Sequence, residues 1–199
     1  MAPSDIRFFT SAELELAASF FLEEYNKPQN LIPVEIDLII EREFDIRVLD
    51  FGGLQEFHGL EAYLALGCHT IYVDRNYMDL EKMERRYRFT LAEEIAHFIL
   101  HKDLFKGVKT VEEYLKVSDE LSFGERSRMQ RDARRLAGAI LMPADIFERK
   151  AREQAVGTSL TGASLRNIVI IPYLANIFNV SEATATVRYE QLGLDSMIN

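Results

Sequence analysis

Arg88-Phe-Thr-Leu-Ala-Glu-Glu-Ile-Ala-His-Phe-Ile-Leu-His101 is the stretch on which the reading of the fold turns. Its centre, Glu93-Glu94-Ile95-Ala96-His97, is one residue away from H-E-x-x-H. That zinc motif works because positions i and i+4 stack on one helix face and reach one metal. The second-position Glu takes a proton from the metal-bound water. Glu94 and His97 therefore stand at the base and second-ligand positions, and Glu93 stands where the first His belongs. Glu93 has two plainer readings. Thr90-Leu91-Ala92-Glu93 spells a capping box, which would make it a helix start. Alternatively Leu80, Met83, Tyr87, Leu91 and Ile95 keep helical spacing, so one helix runs straight through and Glu93 lies on its solvated face. His101 shares the face of His97 at i+4. His58 and His69 fall on strands or turns with nothing to link them to a site.

The whole chain sets the bounds. Its 199 residues suit one domain, or one domain with a small appendage. With 48% apolar and 28% charged residues it has material for a core, which excludes a disordered chain. Lys plus Arg number 23 against 32 Asp plus Glu, a net charge of −9. Such a balance argues against a broad polyphosphate-binding surface. Cys68, the only cysteine, rules out an internal disulfide and a cysteine zinc finger. The N-terminal stretch lacks a basic region and is interrupted by Glu13 and Glu15, so it does not read as a signal peptide. The longest apolar run, Ile168 to Ala175, is far short of a membrane span. A cytoplasmic protein with no membrane partner is expected.

Outward from the quoted stretch, residues 11–25 read as a helix capped by Thr10 or Ser11, with Leu14, Ala17, Ala18, Phe21, Leu22 and Tyr25 on one face. Pro33 suggests the first turn of a second helix carrying Ile36, Ile39, Ile40 and Phe44 inward. Ile46 to Phe51, Leu60 to Leu66 and Thr70 to Asp74 read as three strands in a short meander, punctuated by Gly52-Gly53 and Gly67. Helical periodicity returns from Asp79 and persists to the end. Strands grouped between helices indicate an α+β fold.

Two hallmarks in order resemble the ImmA/IrrE family of metallopeptidases. The first, roughly R-F-T-L-A-H-E-L-G-H-x-L-L-H, is matched by Arg88 to His97, then Leu100 and His101. The second, roughly E-x-x-A-x-x-F-A-x-x-L-L-M-P, is matched by Gln130, Ala133, Leu136, Ala137, Ile140, Leu141, Met142 and Pro143. The resemblance implies a zincin-like fold, with a small sheet packed against helices over residues 1–158 and a helical appendage over 159–199. It also implies a zinc site completed by the first His and by the Glu of the second hallmark. Here those positions hold Glu93 and Gln130, beside His97. A carboxylate is an acceptable zinc ligand, whereas a neutral amide oxygen is a poor one. Zinc is thus expected to be held weakly or not at all. Manganese or magnesium, favoured by an oxygen-rich set, is the lesser expectation. Asp132, two residues past Gln130, points to another side of the helix.

Family members with intact sites are expected to cleave DNA-binding repressors. Two readings follow for this chain: a regulatory protein that acts on a repressor with its peptidase activity in doubt, or an active zinc-dependent endopeptidase with an altered metal site. The helix around Gln130 also carries a basic stripe of Arg128, Arg131 and Arg135. That stripe reads either as a solvated face paired with surplus carboxylates or as a dock for an acidic partner. Residues 173–194 resemble a helix-turn-helix, with Asn179-Val180-Ser181 as turn and cap. Its second helix sets Arg188 and Gln191 against Glu182 and Glu190, a poor surface for reading DNA, so packing is its expected role and direct nucleic-acid binding is not.

Overall fold

The computed structural model describes residues 7–28, 31–78, 83–156 and 160–196. Helix α1 (Ser11–Tyr25) starts at a full capping box: the Thr10 side chain accepts from the Glu13 N–H while the Glu13 carboxylate receives the Thr10 N–H at 2.8 Å. It buries Leu14, Ala18 and Phe21. Helix α2 covers Ile36–Glu43, later than Pro33 suggests. The reason lies in Val34, which is fully buried and whose carbonyl accepts from the buried Arg88 guanidinium at 2.6 Å. That carbonyl is engaged by a distant side chain, and the helix begins after it.

Strand β1 (Arg47–Phe51) leads into the short helix α3 (Leu54–His58), and β2 (Ala62–Ala65) and β3 (Thr70–Asp74) follow. The expected meander is corrected here. The sheet order is β1-β3-β2, with β1 parallel to β3 and β2 antiparallel to it. Helix α3, bounded by Gly53 and Gly59 in left-handed conformation, carries the chain from β1 to the far edge. Only Ala62–Ala65 of the second expected strand is extended, and Leu66–Cys68 forms a 3₁₀ turn. Gly67 has a packing reason. Its N–H donates to the Val108 carbonyl at 2.7 Å, and a Cβ there would meet that same oxygen at 2.8 Å.

After α4 (Arg75–Met78), the 22-residue α5 (Glu84–Phe105) crosses the protein. The expected helical start at Asp79 and Leu80 lies outside the described residues. Helices α6 (Val111–Glu120), α7 (Phe123–Leu141) and α8 (Ala144–Ala155) follow. The C-terminal part comprises α9 (Gly162–Ser164), a π-helical stretch Leu165–Ile170, α10 (Ile171–Ile177) and α11 (Glu182–Gln191). The expected boundary between residues 158 and 159 lies outside the described residues. On either side of it the chain feeds one apolar core, which takes in Leu14 and Phe21 from α1, Ile95 from α5, Leu136 from α7, and Leu174, Phe178, Ala185 and Tyr189 from the C-terminal helices. The α+β class and zincin-like architecture expected from sequence hold.

Candidate functional site

Small residues decide where the site forms. Ala92 and Ala96 on α5, and Ala133 and Ala137 on α7, are all fully buried. Side chains that short let two helices approach closely. Positions one turn apart beside these alanines are then brought together across the gap: Glu93 and His97 from α5, Gln130 and Arg134 from α7. Helix α5 runs through Thr90 without a break, so Glu93 sits mid-helix and the capping reading falls.

The Arg134 Nε donates to Glu93 Oε1 at 3.1 Å. The Glu93 side chain is only 18% exposed and that of Arg134 65%, so the guanidinium closes the solvent side of the carboxylate. Burial pushes the Glu93 pKa up, and Arg134 opposes that rise. Gln130 lies near the His97 ring and the Tyr114 hydroxyl, opposing the fall of the one pKa and the rise of the other. His97 and His101, one turn apart and both buried, place their Nδ1 atoms 3.2 Å from each other. That contact needs one ring to donate and the other to accept. Burial, reinforced by the neighbouring His101, holds the His97 pKa down to about 3, and burial holds that of His101 down to about 4. Both rings are therefore neutral at ordinary pH. His101 itself departs from helical geometry at φ −132 and ψ 16.

Glu94 is buried, and its Oε2 has no hydrogen-bond partner among the described residues. Burial, followed by the Glu93 charge, pushes its pKa well above the usual carboxylate range, which favours the protonated form. Tyr114 from α6 closes the inner wall. It stacks on Phe105 at 5.3 Å between ring centroids, while Phe105 meets His97 edge-on at 5.8 Å. Burial, with the Glu94 charge second, raises the Tyr114 pKa.

Of the residues named from sequence, Glu93 meets α7 through Arg134, His97 neighbours Gln130 of α7, and Glu94 is buried with Glu93 and Tyr114 as its charged and polar neighbours. Sequence reasoning missed Arg134 and Tyr114. Arg134 stands four residues after Gln130, so helical spacing alone put it on the same face. Tyr114 carried no such signal. Asp132 lies two residues from Gln130 and is buried with its Oδ1 unpartnered by a hydrogen bond, 3.6 Å from the Arg131 Nε.

The family description "IrrE N-terminal-like domain", a peptidase family, matches residues 77–190. The chain belongs to that family. Its matched region spans α5, α7 and the C-terminal helices, with both hallmark segments inside it. A comparison with curated proteins finds no match. Among solved structures, a Mycobacterium tuberculosis transcriptional regulator superposes with a TM-score of 0.56 at 17% identity, over 89% of this chain and 46% of the regulator. At that identity the likeness concerns the fold, and the chain spans under half of the regulator's length.

The IrrE N-terminal-like family is typically zinc-dependent. A zinc ion needs three donors turned to one point and a fourth, open position. In this chain Glu93 is turned to a guanidinium and Gln130 offers a neutral amide, which leaves His97 as the one strong donor of the three. The fixed positive charge of Arg134 stands on the carboxylate a cation would use. No three His, Cys, Asp or Glu side chains gather as a metal-holding group among the described residues. The donor set does not fit zinc.

Proposed function

We propose that this IrrE N-terminal-like protein acts on a transcriptional repressor or a similar regulator by binding it, without metal-dependent cleavage. The Arg134–Glu93 ion pair is the observation that carries this reading. It sets a covalently fixed cation against the carboxylate that stands at an expected ligand position, beside two neutral imidazoles and the Gln130 amide. A guanidinium does not polarise a bound water toward hydroxide as zinc does.

Action on a regulator of transcription is supported by family membership and by the fold shared with a protein named as one. It implies a cytoplasmic place of work. No single described helix is long and apolar enough to cross a membrane. Contact with DNA is left to the partner, because Arg188, the basic residue of α11, is 2% exposed and engaged by Glu15.

Elemental analysis of protein purified without chelator tests the reading. Far less than one zinc per chain is expected, with no change in melting temperature when zinc is added and no cleavage of peptides. About one tightly held zinc per chain overturns the proposal, and cleavage of a peptide by that zinc-loaded protein would favour the zinc-dependent endopeptidase with an altered metal site.

A further inference from the structure

Beside the Arg134–Glu93 pair an open groove of about 990 Å³ runs between α7 and α11. Its lining is unlike the rest of the molecule. Arg126, Arg131, Arg134, Arg135 and Arg188 all contribute, and no Asp or Glu side chain among the described residues does. In a chain of net charge −9 this concentrates positive potential on one face. The arginines differ in what holds them. Arg188 is spent inside on Glu15, Arg134 on Glu93, and Arg126 on Asp119 at 3.1 Å. Arg135 donates to the Ser11 hydroxyl at 3.4 Å, and the exposed Arg131 lies 3.6 Å from buried Asp132. A hydroxyl does not neutralise a guanidinium, and the Arg131 contact is long, so these two keep most of their reach for an incoming anion.

The groove is also apolar. Phe89, Met142, Phe123 and Val187 line it, and the last two stand 81% and 52% exposed. Large apolar side chains that open to solvent beside a cluster of guanidiniums mark a contact surface.

We propose that this groove docks an acidic segment of the partner protein in which carboxylates flank apolar side chains, the carboxylates meeting Arg131 and Arg135 and the apolar groups covering Phe123 and Val187. The proposal rests on the reading of this chain as a partner-binding protein and adds the chemistry of the partner. Arginine suits carboxylates because its planar fork matches both oxygens. A nucleic acid fits less well. Its phosphates match the local charge, but they approach a chain of net charge −9. Gln130 and Arg134 line both the groove and the candidate site, so a docked segment lies over the Arg134–Glu93 pair.

Fluorescence anisotropy on the full chain tests this with three probes: a short labelled peptide of glutamates interspersed with leucines, its glutamine counterpart, and oligothymidylate. The glutamate peptide is expected to bind, more weakly as salt rises, and to bind better than either other probe. Arg131→Glu with Arg135→Glu should cut its affinity by about tenfold or more, against a thermal melt that shows the fold kept. Phe123→Ser with Val187→Ser, at exposed positions, should weaken it several-fold and leave the salt dependence in place. Failure of the glutamate peptide to bind, equal binding by both variants, or tighter binding of oligothymidylate overturns the proposal. None of these outcomes touches the zinc measurement, so loss of the groove and loss of the metal-independent reading are told apart.

Discussion

Arg134 is the side chain that changes what the Glu93 substitution means. A zinc site that had lost one ligand would be repaired by restoring it, but here a fixed cation has taken over the carboxylate. Restoring the family set through Glu93→His and Gln130→Glu leaves the guanidinium beside the rebuilt donors, where it repels an arriving metal ion. The triple variant that adds Arg134→Ala is therefore expected to take up near-stoichiometric zinc, and the double variant clearly less. Bound metal should stabilise the triple variant by linkage, by roughly 2.7 kcal/mol at a hundredfold excess over the dissociation constant, and so raise its melting temperature. Elemental analysis and thermal melts with and without zinc measure both effects. Equal uptake by the two variants would show that Arg134 does not govern the site. No uptake by either would mean that positions 93, 97 and 130 do not converge. Glu93 and His97 were legible together because they lie one turn apart on one helix, whereas Gln130 was named only from the second hallmark. Arg134 escaped because its meaning depends on how two helices register against each other, and that register is set by Ala92, Ala96, Ala133 and Ala137 together.

Among the elements, the start of α1 was the most legible. Thr10 with Glu13 is a local pattern of hydrogen bonds that needs nothing from the rest of the chain, and the same box recurs at Thr110 with Glu113 and at Ser122 with Glu125. Strand order was illegible for the opposite reason. Whether β1 pairs with β2 or β3 depends on side-chain burial across the sheet and on the short helix α3 that separates the strands. The capping boxes also carry a pH dependence. Hydrogen bonds from Thr10 hold the Glu13 pKa below its usual 4.5, and those from Ser122 do the same for Glu125. A carboxylate whose pKa is lower folded than unfolded favours folding while ionised. That contribution is complete above about pH 4.5 and is lost as pH falls through the lowered folded value. Amide exchange in the first turns of α1 and α7 should therefore quicken in that acid range before the helix centres loosen. Glu13→Gln and Glu125→Gln should each flatten the dependence at their own helix. An unchanged profile in these variants would assign the acid sensitivity elsewhere.

On the scale of the whole molecule the chain ties its ends together through Arg188. From α11 its Nε donates to the Met142 carbonyl at the end of α7, at 3.0 Å, while the rest of the guanidinium engages both carboxylate oxygens of Glu15 on α1. Arg188 is 2% exposed and the Glu15 side chain 39%. A pair closed on one side only is held by geometry more than by a dry interior. The helix-turn-helix outline of α10 and α11 was readable from Asn179 and Ser181, and the structure bends the segments Gly162–Ile177 and Glu182–Gln191 at 105°. The inward turn of Arg188 was not readable, because its partner lies 173 residues away. Replacing Arg188 with Met keeps the apolar stem and removes three donors. It leaves the Met142 carbonyl and the Glu15 carboxylate without them. The expected cost is about 2–3 kcal/mol, below the usual loss for a fully buried pair because Glu15 remains partly hydrated. Arg188→Met combined with Glu15→Gln should cost less than the sum of the two single changes, as contacting residues do. Urea unfolding supplies these values, and amide exchange gives their spatial extent. Reduced protection in α5 and α7 as well as in α11 is expected, because all three feed one core. Loss confined to α9, α10 and α11 would instead make residues 159–199 a unit that opens by itself.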